Sequence, residues 1–174
     1  GTDTLQHLLT PEGLVKGIRC NDGKCDPAGR FWVGSMGLDL QPEVGRLYVV
    51  DLDGSCKTVL DKISISNGLV WSNDRKKFYY IDTPTRRIDI FDYDLATGSI
   101  DRRRSLVEIP EKLGYPDGMA IDRDGHLWVA MWGGSAVICF SGEDGSILQH
   151  IEVPALQVTS CAFGGPELRD LYIT

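Results

Sequence analysis

Four polar residues recur at one phase of the chain: Asn21, Asn67, Asp117 and Ser160, spaced by 46, 50 and 43 positions. Three of them sit in the phrases "NDGKC", "SNGLV" and "YPDGM", each running into a glycine. Asn and Asp oxygens without a Cys or His ligand pattern are hard donors, suited to calcium, magnesium or manganese rather than to a structural zinc. A divalent ion held by few protein oxygens keeps water in its shell, acidifies that water and polarises a carbonyl. An adjacent carboxylate then has a natural role as base. The same dipeptides also favour turns, because Asn, Asp and Gly tolerate positive φ. Their matching phase leaves the ligand reading and the turn reading both open.

The period itself names the scaffold. Self-similarity every 43 to 50 residues is the size of one four-stranded blade. Each copy reads as a short inner strand ("GLVWS", "GMAID"), a polar turn ("NDRKK", "DRDGH") and a second strand ("FYYID", "LWVAM"). A third ("RIDIFDYD", "AVICFSGE") and a fourth ("SLVEI", "ILQHIEV") follow. Period-2 alternation broken by Gly, Asn and Asp turns is the antiparallel signature, so the chain is predicted to be all-β, a β-propeller. The first strand of each blade lines the central channel, which would bring the four phased residues to its mouth. From Asn21 onward the chain supplies about three and a half blades, whereas a closed ring needs at least four. Residues 1–174 are therefore expected to form a single partial propeller domain, completed by a missing or separate chain. Helix is nearly absent; one turn near "PEGLVKG" is the only candidate.

Composition narrows the function classes. With 42% hydrophobic and 25% charged residues among 174, the chain is an ordinary globular domain. A net charge of -7 repels phosphate backbones. "DRRRS" at 101–105, without interleaved aromatics, reads as a solvated loop, so neither nucleic acid nor a membrane is expected as partner. Five cysteines without CxxC spacing suggest neither a disulfide framework nor a zinc site, and a reducing, cytoplasmic setting is expected. Asp22, Asp26, Asp74, Asp122 and Asp124 read as solvated outer-turn residues. His7, His126 and His150 are isolated, with His126 at the surface. Trp32, Trp71, Trp128 and Trp132 read as blade core. No serine stands in a nucleophile-elbow context.

Taken together, "NDGKCDPAGRFWVGSMG", "SNGLVWSNDRKKFYYIDT", "GYPDGMAIDRDGHLWVAMWGG" and "QVTSCAFGGPELRDLYIT" resemble, in order and spacing, the senescence-marker-protein, gluconolactonase and luciferin-regenerating-enzyme family. The resemblance implies a six-bladed propeller with one divalent cation in its channel and lactone hydrolysis in several members. It implies Asn67 and Asp117 as metal ligands, Asp117 also as the base, and Arg19 and Asn21 as contacts to substrate hydroxyls or carbonyl oxygen. Asp39 falls where animal members carry a substrate-touching glutamate. A further glutamate ligand of the family's first blade has no counterpart here, leaving two of three protein ligands. The expected activity is hydrolysis of an aldonolactone with calcium, or else zinc, manganese or magnesium. A calcium-binding regulatory protein without turnover, a luciferin-regenerating enzyme and a bare scaffold for protein partners are the alternatives.

Overall fold

A computed structural model describes residue 7, residues 9–11 and residues 15–174. The expected turn near "PEGLVKG" lies mostly outside the described residues. Four antiparallel sheets follow one another along the chain as propeller blades. Blade one holds β1 (Ile18–Cys25), β2 (Phe31–Gly37), β3 (Gly45–Val50) and β4 (Cys56–Ile63). Blade two holds β5 (Ser66–Trp71), β6 (Lys77–Asp82), β7 (Arg87–Asp94) and β8 (Ser99–Glu108). Blade three holds β9 (Tyr115–Ile121), β10 (Leu127–Trp132), β11 (Ala136–Phe140) and β12 (Ile147–Glu152). Two further strands, β13 (Cys161–Gly164) and β14 (Asp170–Ile173), pair as a separate hairpin. Short 3-10 turns at Thr83–Thr85 and Glu111–Leu113 are the helical segments among the described residues. None is long and apolar enough to cross a membrane.

The cores lie between the sheets. Between blades one and two, Trp32, Leu47 and Val49 pack on Leu69, Trp71, Phe78 and Tyr80. Val70, Ile81 and Ile88 of blade two meet Met119, Leu127 and Val129 of blade three. Ala120, Ala130 and Val137 meet Val158 and Cys161. Both faces of the middle strands are covered, which explains why β5 and β6 carry continuous apolar runs beside aromatics. Trp32 and Trp71 are core residues as expected, whereas Trp132 is 41% exposed and faces a cleft. All five cysteines are unpaired thiols.

The turn after each inner strand is stapled by a carboxylate, and here the sequence expectation fails. Asp26, expected on a solvated turn, is 4% exposed. Its Oδ2 accepts from Trp32 Nε1 at 3.1 Å, Arg30 Nε at 2.7 Å and Tyr93 Oη at 2.7 Å, while Oδ1 accepts from the amides of Ala28 and Arg30. Blade three repeats the device: Asp122 accepts from Trp128 Nε1 at 3.0 Å and pairs with His126 Nδ1 at 3.1 Å. Gly29 and Gly125, at φ +90° and +86°, make both turns possible. Tyr93 and the carbonyl of Leu95 belong to blade two, so the Asp26–Arg30 pair also ties blade one to its neighbour. Asp74 and Asp124 do sit on exposed turns. "DRRRS" is not a loop but part of β8. Arg103 grips buried Asp89 through Nε and Nη2 (2.8 and 2.6 Å), and Arg102 and Arg104 reach Asp92.

Removing one member of a buried ion pair leaves the other uncompensated, at roughly 3–5 kcal/mol. Asp26→Ala should lose about that much unfolding free energy at pH 7, read from urea unfolding. Burial alone would raise the Asp26 carboxyl; the bonds from Tyr93, Trp32 and Arg30 outweigh it and hold the pKa below the ordinary value. Its stabilisation is therefore present above about pH 4 and disappears as pH falls through the depressed folded value. The gap between wild type and variant should narrow between neutral pH and about pH 3. A constant gap would contradict this account.

Candidate functional site

The three inner strands each break register at the phased residue. Asn21 and Asp22 stand together opposite Gly34 between the pairs Cys20–Ser35 and Gly23–Val33. Gly68 is inserted between the pairs Asn67–Ile81 and Leu69–Tyr80. Asp117 and Gly118 oppose the single Ala130. A bulge re-aims the side chain beside it, and here each aims a polar group at the channel. The Asn-Gly and Asp-Gly pairs are thus not hairpin turns: they lie within β5 and β9, and neither Gly68 nor Gly118 has positive φ. The glycines serve close approach instead. A Cβ on Gly68 would lie 2.8 Å from the Asp117 carbonyl oxygen and from Met119 Cβ of the next inner strand. One on Gly118 would lie 2.8 Å from Ser160 Oγ and the Thr159 carbonyl oxygen.

The side chains thereby meet. Asn21, Asp22, Asn67, Asp117 and Ser160 line one small cleft of about 190 Å³. Above it a cavity of about 590 Å³ takes Arg19, Asn21, Asn67, Thr83 and Asp117 on its polar side. Met36, Leu40, Pro84, Tyr115 and Trp132 form the apolar wall. A directed hydrogen-bond chain runs through the polar side. Arg19 Nη1 donates to Asn21 Oδ1 at 2.7 Å. Asn21 Nδ2 donates to the Ser66 carbonyl at 2.7 Å and to Asn67 Oδ1 at 3.0 Å. Asn67 Nδ2 donates to Thr83 Oγ1 at 2.7 Å, and Thr83 donates onward to the Pro116 carbonyl at 2.8 Å, next to Asp117. Because Thr83 spends its one proton on Pro116, it must accept from Asn67, and this fixes Asn67 Oδ1 toward the channel.

The electrostatics are those of an acid pair. Burial pushes the Asp117 carboxyl up to about 6, the charge of Asp22 adds to the rise, and the Gly118 amide only partly opposes it. Asp22 is likewise raised by burial, against the Gly23 amide and Lys24. Asp22 was expected on an outer turn; the bulge in β1 turns it inward. Asp39 does not join the cluster. It is exposed and lines a separate groove with Lys16, Glu43 and Arg46, while its neighbour Leu40 reaches the cavity wall. Thr83 escaped the sequence reading because it lies in the connecting turn, outside the repeat phase. Its signal was only the Thr-Pro pair directly after β6, which marks a turn.

Asp122, His126 and Cys139 are the described group of His, Cys and carboxylate atoms close enough to share an ion. Both Asp122 oxygens already accept N–H donors there, and Arg30 fills the place of His126 in blade one. That cluster is the turn staple described above.

A family model described as SMP-30/Gluconolactonase/LRE-like region matches residues 1–174. Among solved structures, a luciferin-regenerating enzyme shares 43% identity at TM-score 0.95, covering 99% of this chain and 58% of its own. A calcium-binding protein, regucalcin, from Agrobacterium tumefaciens shares 32% at TM-score 0.93, with coverages of 99% and 58%. A gluconolactonase from Xanthomonas campestris shares 28% at TM-score 0.79, covering 100% of this chain and 60% of its own. The chain spans somewhat over half the length of the curated relatives it matches.

Thr83→Val keeps the shape of the side chain but orphans the Asn67 amide and the Pro116 carbonyl. It should cost roughly 1–3 kcal/mol of stability by urea unfolding, and Thr83→Ser should retain most of it. Equal stability of the valine variant would show that the chain of bonds is not maintained.

Proposed function

The chain belongs to the SMP-30/gluconolactonase/LRE-like family, and from that premise we propose that it hydrolyses small cyclic esters of the sugar-lactone type, using a divalent cation held by Asn67 and Asp117. The observation that carries the reading is the meeting of hard oxygen donors from neighbouring blades in one cleft. The donor set fits a cation. Asn67 Oδ1 gives one lone pair to Asn21 and keeps the other. Burial makes Asp117 and Asp22 each resist ionisation, and the charge of Asp22 adds to the rise at Asp117; a divalent ion would offset both effects. All-oxygen donors favour calcium, ahead of magnesium, manganese and zinc. The remaining donors and blades are assigned to the part of the relatives' length that this chain does not match.

When bound, the ion supplies Lewis-acid polarisation of the ester carbonyl and makes nearby water more acidic. The other steps fall to the chain's own residues. Asp117, ionised beside the cation, accepts the proton of the attacking water. Arg19 uses Nη1 on Cys20 and Asn21, and its remaining N–H groups are assigned to the substrate's ring oxygens. Both N–H groups of Asn21 are engaged, so its part is to hold Asn67 and to accept from a substrate hydroxyl. Tyr115, Trp132 and Leu40 wall off one side of the ring from water. Asp39, outside this cavity, is given no part.

In the intact protein, Asp117→Asn should lower kcat for glucono-δ-lactone by about 10²- to 10⁴-fold with folding unchanged by circular dichroism. Chelation should silence the wild type, and calcium should restore it. Near-normal turnover by the variant would remove Asp117 from the mechanism. Calcium binding without turnover of any lactone in a panel would favour the binding role.

A further inference from the structure

Lys24 belongs to the phrase "NDGKC", yet the hydrolytic reading uses only Asn21 and Asp22 of it. Its side chain leaves its own blade: Nζ donates to the Met119 carbonyl at 3.0 Å, on the inner strand of blade three and two residues beyond Asp117. Blade two lies between these blades, so the ammonium bridges the channel past β5 rather than joining adjacent strands. The charges along this line alternate. Lys24 is the cation acting on Asp22, and Asp22 is the anion acting on Asp117. Burial lowers the Lys24 pKa, with Asp22 and Cys161 opposing. A pocket lined by Lys24, Cys25, Trp71 and Cys161 opens on the channel away from Asn67 and Asp117. The ammonium thus lines this second pocket while holding β9 two residues along from Asp117.

We propose that Lys24 is the charged floor of the cation site, a positioning residue that ties blades one and three together beneath Asp117 and keeps a divalent ion at the channel mouth. This rests on the reading of Asn67 and Asp117 as its ligands. The role has a signature that a purely structural strut lacks. A lost strut would loosen β9 and weaken ion binding. A lost floor charge leaves Asp22 uncompensated and removes a repulsion, so binding tightens, and the gain shrinks with salt because screening acts on the charge alone.

The test is titration calorimetry of the intact protein with calcium chloride alone at pH 8 and low ionic strength. Lys24→Met, which keeps the apolar stem, and Lys24→Gln, which keeps a donor without charge, should both bind calcium roughly three- to tenfold tighter than wild type. Lys24→Arg should stay near wild type. Added sodium chloride should bring all four toward one another. Unchanged or weaker affinity in both neutral variants, with melting in chelator showing them folded, would overturn the floor while leaving the ligand reading intact. A wild type that takes up no calcium, zinc, manganese or magnesium would overturn both.

Discussion

Gly68 and Gly118 stand where neighbouring inner strands approach too closely for a side chain, and the rest of the site follows from that spacing. With no Cβ at these points, β5 packs against the Asp117–Met119 stretch of β9, and β9 against Thr159 and Ser160. Blade-to-blade contact at the channel thus brings backbone against backbone at the Asp117 and Thr159 carbonyls. Such contact fixes relative height and angle far more tightly than packed side chains could, since it leaves no rotamer freedom to relax into. The bulges at the same positions then turn one polar group per blade inward.

Convergence has an electrostatic consequence. Asp22 and Asp117 come from blades one and three, and each is raised by burial before any neighbour is considered. Folding brings them together because the three interblade cores are apolar and extensive, so a locally unfavourable acid pair is offset by packing elsewhere. The hydrogen-bond chain from Arg19 through Asn21, Asn67 and Thr83 does the complementary work. It occupies both amide protons of Asn21 and one of Asn67, and turns Asn67 Oδ1 toward the channel.

Much of this was legible in the sequence, for a physical reason: repeats expose their period. The strands of blades two and three fall where alternation and turn residues put them, and Asn21, Asn67, Asp117 and Ser160 share a cleft as their phase requires. What escaped was set by contacts remote in sequence. Asp26 looks like any turn carboxylate until Tyr93, 67 positions away, closes over it. Arg102, Arg103 and Arg104 are exposed as expected, but they stand on a strand rather than a loop, where β7 supplies Asp89 and Asp92 across the pair. Asp22 turns inward only because β1 bulges, and a bulge has no composition signal beyond a glycine. Thr83 lies outside the repeat phase altogether. Asp39, brought in by likeness of position, lies in a groove apart from the shared cavity.

The claim beneath all of this is that side-chain oxygens of adjacent blades are set to share one hard cation. Anomalous diffraction from crystals of the intact protein soaked in manganese tests it most directly. The account predicts one peak lying between Asn67 Oδ1 and the Asp117 carboxylate and within coordination distance of both, at about 2.3–2.6 Å from each when calcium replaces manganese. A peak at Asp122 and His126 instead, or none at the channel mouth under saturating ion, would contradict it.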